Sequence, residues 1–428
     1  METNLQSQFP DENAEKSACV LPKRRFDELL NLLKRDGYEV LGPKIEQAAI
    51  IYGTVASAQD LPIGWTDKQA PGSYRLERRN DEAYFGFAVG PHSWKSLLFP
   101  STLRLWSAQR TETGFEVVDA PIDPPRRALL GVRACELQAM AVQDRVFIDR
   151  AGGVSDPYYE EARKRLFIIG VECEHPAGTC FCASMGTGPH IAKNSSTGAA
   201  VAPAKVPVGE AGRIPLSLAG SNESRRDALQ ITYDLVLTEL DDSFVVRSGS
   251  AAGMQILNRL QLNLASSSEV QLAQERVDAA AAAMGRTLDS NGLQRLLHEN
   301  QEHPRWDEVA VRCLSCTNCT LVCPTCFCSS VEEVSDLTGD HVDRTRRWDS
   351  CFNPEFAQVH GGNFRPSTRG RYRQWLTHKF ASWFDQFDVS GCVGCGRCIT
   401  WCPVGIDVTE EISAIRATNG AKKAGAEA

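Results

Sequence analysis

Apolar residues fall at helical spacing early in the chain. Phe26, Leu29, Leu30 and Leu33 share one stripe of the segment Leu21 to Gly37, which predicts an amphipathic helix. Short apolar runs at Ala48–Ile51 and Ala83–Val89 predict strands. Two denser runs, Ala128–Val132 and Leu166–Val171, are apolar throughout, as strands of a parallel sheet buried on both faces must be. Roughly 30 residues separate them, including a helical segment from Leu137 to Val146, and that length suits a crossover between parallel neighbours. Tyr233–Leu240 and Ser243–Arg247, joined through Asp241-Asp242, read as an antiparallel pair. Ser266 and Glu269 have capping-box spacing ahead of Val270, Ala273, Val277, Ala280 and Met284, so a helix is expected to start there. Residues 186–215 are rich in Gly, Ala, Pro and Ser and predict a mobile insertion.

Composition narrows the function classes. At ~100–200 residues per domain, 428 residues suggest two to four domains. The 46 Lys+Arg against 54 Asp+Glu leave a net charge of −8, which argues against nucleic acid as partner. No apolar run approaches the ~18 residues of a membrane span. Met1 to Lys16 is polar and acidic, and Arg24-Arg25 is followed by Asp27, Glu28, Lys34 and Arg35 rather than by an apolar export segment. A cytoplasmic location is therefore expected. In that reducing compartment the sixteen cysteines are metal ligands more readily than disulfides.

The cysteines are ordered. Cys313, Cys316, Cys319 and Cys323-Pro324 form C-x2-C-x2-C-x3-C-P, and Cys392, Cys395, Cys398 and Cys402-Pro403 repeat it. Three thiolates at three-residue intervals let one loop bond three irons of a cubane, while the cysteine before proline reaches the other cluster of a pair. The expected sets are Cys313, Cys316, Cys319 with Cys402, and Cys392, Cys395, Cys398 with Cys323. A zinc site would instead favour two C-x2-C pairs with a longer gap. Cys323 and Cys392 are 69 positions apart, and the aromatic, β-branched-poor stretch between them (Trp348, Phe352, Phe356, Tyr372, Trp375, Phe380) predicts helices carrying the two cluster loops.

A third group lies elsewhere. Cys135 follows the run Ala128–Val132, and Cys173, Cys180 and Cys182 follow Leu166–Val171. Neighbouring parallel strands would bring both loops to one carboxyl edge, where open α/β sheets build sites. Four thiolates there suit a [4Fe–4S] cluster or structural zinc; buried unliganded thiols are the plain alternative. His175 is read as a neighbour of this group rather than a ligand. Of the remaining cysteines, Cys326, Cys328 and Cys351 are expected to pack around a cluster, with Cys326 an alternative to Cys323, and Cys19 is expected to be an uninvolved tail thiol. Arg344, Arg346, Arg347, Arg365, Arg369, Arg371, Arg373 and Lys379 face only Asp349 and Glu355 in that stretch. They form either a solvated basic face or the charge that offsets thiolate-ligated clusters.

The strings Gly131-Val132-Arg133-Ala134-Cys135-Glu136-Leu137, Asp144-Arg145-Val146-Phe147, Glu172-Cys173 with Cys180-Phe181-Cys182 and Met185 to Pro189, Trp348-Asp349-Ser350-Cys351, Asn363-Phe364-Arg365-Pro366 and Cys392 to Cys398 resemble the β subunit of cytosolic sulfhydrogenases and the related A subunit of anaerobic sulfite reductase, from about residue 20 to 410. Arg133-Ala134-Cys135-Glu136 departs from the family's usual Arg-Pro-Cys-Asp. The resemblance implies an electron-carrying subunit of a [NiFe] hydrogenase complex, placed between a flavin subunit that binds FAD and NAD(P)H and the hydrogenase small subunit beside its large subunit. It also favours a third [4Fe–4S] cluster over zinc. The expected architecture is α+β and multidomain: a tail over 1–20, an α/β domain with a partly parallel sheet over 21–250, a helical connector over 251–304, an all-helical two-cluster ferredoxin domain over 305–410, and a tail over 411–428. The expected function is single-electron relay without substrate chemistry of its own. A sulfite reductase subunit or a zinc-stabilised scaffold are the alternatives.

Overall fold

The computed structural model describes residues 18–148, 154–191 and 231–419. Most of the expected mobile insertion (192–215) and the outer parts of both expected tails (1–17 and 420–428) lie outside them.

The central sheet has eight strands: β1 Cys19–Pro22, β2 Glu39–Glu46, β3 Ala49–Thr54, β8 Arg127–Val132, β9 Leu166–Val171, β10 Leu235–Glu239, β11 Ser243–Ser248 and β12 Asn263–Leu264. Their spatial order is β12-β1-β11-β10-β9-β8-β2-β3. The four at the centre, β10, β9, β8 and β2, run parallel, and the flanking pairs are antiparallel. Leu129, Leu130, Ile169 and Val171 are fully buried, so β8 and β9 are covered on both faces, as their continuous apolar sequence requires. Helix Phe26–Arg35 turns Phe26, Leu29, Leu30 and Leu33 into the core on one face, and helix Ala134–Phe147 covers the other. Ser266 and Glu269 form the expected capping box of helix Ser267–Ala282, which buries Ala273, Val277 and Ala280.

Four expectations are corrected. Ala83–Val89 is irregular rather than a strand; its backbone is tied to side chains instead, with Tyr84 and Phe85 N–H donating to the Glu239 carboxylate at 2.7 and 2.8 Å. Cys19 is not in a tail but in β1, paired with both β11 and β12. The segment between the two cysteine motifs is not all helical. It contains the hairpin β13 Ser329–Ser335 and β14 His341–Trp348, and β14 continues into a second hairpin, β6 Thr102–Thr111 and β7 Gly114–Asp119. A sheet of strand order β13-β14-β6-β7 therefore joins the N-terminal α/β part to the C-terminal part. Finally, residues 411–418 belong to helix Val408–Thr418, whose Ile412 and Ile415 are buried. Asp407 caps it, and the Val408, Ile412, Ile415 stripe has helical spacing.

Candidate metal centre

Helix Arg305–Arg312 delivers the first motif. Arg305 and Arg312 both hold the buried carboxylate of Glu411, each at 2.5 Å, which fixes the loop against the C-terminal helix. In that loop Ser315 and Thr317 take left-handed backbone conformations (φ 50° and 69°), and the Ser315 N–H donates to Cys313 Sγ at 3.4 Å. The second motif repeats this winding. Gly394 and Gly396 occupy the equivalent positions with φ 64° and 74°, and the Gly394 N–H donates to Cys392 Sγ at 3.4 Å. Glycine is required in the second loop for a reason absent from the first. A Cβ on Gly394 would stand 2.7 Å from Cys182 backbone atoms, and one on Gly396 would stand 2.5 Å from the Thr179 carbonyl. The second motif is pressed against the loop that carries the third cysteine group.

The thiols of the two motifs are neighbours across the motifs as well as within them. Burial raises the Cys319 thiol well above its ordinary pKa, and the neighbouring Cys313, Cys402 and Cys316 raise it further. Cys398 is raised in the same way by burial and then by Cys392, Cys395 and Cys323. So Cys402 from the second motif sits with the first motif's triplet, and Cys323 from the first sits with the second's. Cys319 also lies within electrostatic reach of Cys398, so the two groups are neighbours. N–H donation extends to the crossing cysteine, since Ile406 N–H reaches Cys402 Sγ at 3.3 Å.

The loops after β8 and β9 meet as the parallel pairing demands. Cys135 is buried at the start of helix Ala134–Phe147. Its thiol is raised by burial and by the nearby Cys182 and Cys395. Cys180 is raised by burial, then by Cys173; Cys182 by burial, then by Cys180 and Cys173. The four thiols thus form one group, three of them buried and Cys173 half-buried. It abuts the second motif directly: Cys180 Sγ approaches the Cys395 carbonyl at 3.8 Å, Phe181 N–H donates to the Gly394 carbonyl at 2.8 Å, and Thr187 Oγ1 donates to the Val393 carbonyl at 2.7 Å. The departure from the family string is accommodated. Glu136 accepts from Tyr52 Oη at 2.6 Å and from Arg397 Nη2 of the second motif at 2.6 Å, in a fully buried pair. Met284 Sδ, 3.9 Å from Cys182 Sγ, closes this group from the connector. His175 lies beside Cys173 in a separate cavity with Arg79, Glu174 and Arg276; burial and the Arg79 charge lower its pKa to about 4.

Two buried lysines were not singled out as a pair by the sequence. Lys379, in a π-helical turn over His378–Ser382, donates to Cys323 Sγ at 3.3 Å, Thr325 Oγ1 at 3.0 Å and the Gly391 carbonyl at 2.9 Å. Lys95 donates to the Cys326 carbonyl at 3.2 Å and lies 4.0 Å above the Trp348 ring. A hydrogen bond from Cys326 and these two ammonium groups hold the Cys323 thiol well below its usual range despite burial. Cys328 is lowered to about 7 by a hydrogen bond from Cys351. The basic stretch is thus divided: Lys379 and Arg371 are buried, while Arg369 and Arg373 form surface pairs with Glu302.

These residues fit iron–sulfur ligation. Five of the twelve motif and loop cysteines are buried and six are half-buried; burial pushes up the thiols of Cys135, Cys182, Cys319 and Cys398, so they stay neutral unless a metal takes their protons. Backbone N–H groups aimed at sulfur, and lysine at Cys323, are the donors that stabilise thiolate on a cluster. Among the described residues no three Cys, His, Asp or Glu side chains close tightly enough to hold a single metal ion.

A family model described as a 4Fe-4S dicluster domain matches residues 312–406, the span of the two motifs. The chain is similar to sulfhydrogenase 2 subunit beta of Pyrococcus furiosus, with 31% identity over 291 residues that cover 67% of this chain and 73% of that protein. No solved structure matches. No helix among the described residues is long and apolar enough to cross a membrane. With two-thirds of its length aligned and both iron–sulfur motifs intact, the chain belongs to the sulfhydrogenase β-subunit family.

Proposed function

We propose that this chain is the electron-relay subunit of a cytosolic [NiFe] hydrogenase complex, holding three [4Fe–4S] clusters and passing single electrons between a flavin subunit that binds FAD and NAD(P)H and the hydrogenase small subunit. The clusters, when bound, supply one-electron oxidation and reduction at a potential set by their surroundings. The chain's own residues build the path. Cys135, Cys173, Cys180 and Cys182 would hold the innermost cluster; Cys392, Cys395, Cys398 and Cys323 the middle one; Cys313, Cys316, Cys319 and Cys402 the outermost.

The observation that carries this reading is the serial placement of the three sulfur groups. The first touches the second through Cys180 and Cys395, the second neighbours the third through Cys398 and Cys319, and Cys316 of the third is solvent-exposed. Such a row, buried at one end and open at the other, serves transfer between partners rather than storage.

The test is iron and acid-labile sulfide on anaerobically purified protein, expected near twelve of each (3 × 4). Cys180→Ser is expected to bring both near eight and to leave the signals of the other pair. Eight in the native protein would remove the third cluster, and a colourless zinc-loaded protein would sink the reading altogether. Co-purification identifies the complex: hydrogenase large and small subunits support the assignment, and a sirohaem subunit would move it to sulfite reduction.

A further inference from the structure

One cavity among the described residues is lined by none of the cysteines of the three sulfur groups. It encloses about 730 Å³ beside β14 and the π-helical turn, well within the size of small-molecule sites. On one wall lie Cys328 and Cys351, a hydrogen-bonded thiol pair. Opposite charge sources line the rest unequally. Arg346 and Arg365 both face the cavity. Asp156 takes one edge of the Arg346 guanidinium, but Arg346 Nε and Nη2 and Arg365 Nε are buried without a hydrogen-bond partner among the described residues. The indole N–H groups of Trp375 and Trp383, also on the lining, are likewise unpartnered, though both side chains are more than nine-tenths buried. Buried donors are normally satisfied, and each one left open is costly. Five open donors (three guanidinium, two indole) around one aromatic-walled space call for an acceptor-rich ligand, and the surplus of positive charge calls for an anion.

We propose that this cavity binds a small anionic molecule, its charged group held between Arg346 and Arg365 and its body lying against the Cys328–Cys351 thiol pair. The inference goes beyond electron relay and does not depend on it, since Cys328 and Cys351 belong to none of the three sulfur groups. Arg346 also stacks at 4.3 Å over Phe99, so its guanidinium is fixed before any ligand arrives. Lys379 adds to the positive wall, although it is already committed to Cys323, Thr325 and Gly391.

The thiols report on occupancy. The holoprotein, kept anaerobic, is treated with the neutral reagent iodoacetamide, and alkylation of Cys328 and Cys351 is followed by peptide mass spectrometry. Inorganic sulfate is the probe, against chloride at equal ionic strength. Sulfate is expected to slow alkylation several-fold in a saturable way. Arg365→Gln is expected to lose that protection while keeping native iron content, and Arg365→Lys to keep part of it. Equal rates in sulfate and chloride would overturn the proposal, as would protection unchanged in Arg365→Gln. So would complete resistance of both cysteines without any anion, because they would then be metal ligands or sealed from the cavity. Titration of the protection separates a site from an adventitious ion only: protection that rises linearly with sulfate up to molar concentration rejects the site.

Discussion

A buried ammonium group survives only beside compensating negative charge, and that constraint makes Lys379 informative. Burial pulls its pKa down, yet Cys323 and Cys326 hold it well above the ordinary value, and no carboxylate is among its bonded partners. Its counter-charge is sulfur. A positive group donating to a cluster thiolate stabilises the more negative, reduced state. Lys379→Gln is therefore expected to lower the midpoint potential of the cluster proposed for Cys323, on the order of 60 mV or a tenfold change for one electron. The other two clusters should shift less. An EPR-monitored redox titration reads all of them, and an unchanged middle potential would contradict the argument. Its neighbour His378 gives a pH prediction. Burial, with the charges of Lys379 and Arg365, lowers its pKa. The unfolded chain takes up that proton near pH ~6.5 and the folded chain only at lower pH. Stability should therefore be intact above ~6.5 and fall as the pH drops below it, and His378→Gln should remove that part of the fall in anaerobic melting curves.

Elements that sequence pattern foretold are those whose burial writes a period into the chain. β8 and β9 are buried on both faces and read as apolar runs; helix Phe26–Arg35 is buried on one and reads as a stripe. The hairpin β13–β14 leaves no such trace. Most of β13 is exposed, and its pairing uses Glu333 with Arg344 and Glu332 with Arg347 across the strands, a polar ladder indistinguishable by composition from a solvated helix face. The third sulfur group was legible because two apolar strands imply one carboxyl edge, whereas the Glu136–Arg397 pair, 261 residues apart, depends on how two distant segments dock. Breaking one partner of a buried pair leaves the other charge stranded at a cost of about 3–5 kcal/mol. Glu136→Gln should thus lower the melting temperature and loosen the second motif, seen as faster iron loss to a chelator. The C-terminal helix could have been found from Asp407 and the spacing of Val408, Ile412 and Ile415. Ile415→Ala, a fully buried site, should cost about 2–5 kcal/mol; an effect near zero would restore the tail reading.

At the scale of the whole molecule, the three sulfur groups divide the surface into unequal regions. The inner group is covered by the loops after β8 and β9 and by Met284, so in the proposed relay exchange with a partner falls to the outer group. There Cys316 is exposed, and Leu314 at 64% and Val404 at 39% exposure line the same recess. Scattered apolar residues on a surface need no explanation, but exposed apolar residues beside an exposed candidate ligand do. Their apolar character suits a close, dry contact, which shortens the gap an electron must cross. Leu314→Glu changes one of these side chains without touching a sulfur. It is expected to leave iron content, EPR spectra and reduction by dithionite as in the native protein, because the interior path is intact. Reduction through the partner complex should slow at least tenfold, corresponding to about 1.4 kcal/mol or more of lost docking. If partner-driven reduction is unaffected while the chain remains in the complex, electrons enter or leave elsewhere. The exposed strand β7, with Phe115, Val117 and Val118 facing solvent, is then the surface to alter next.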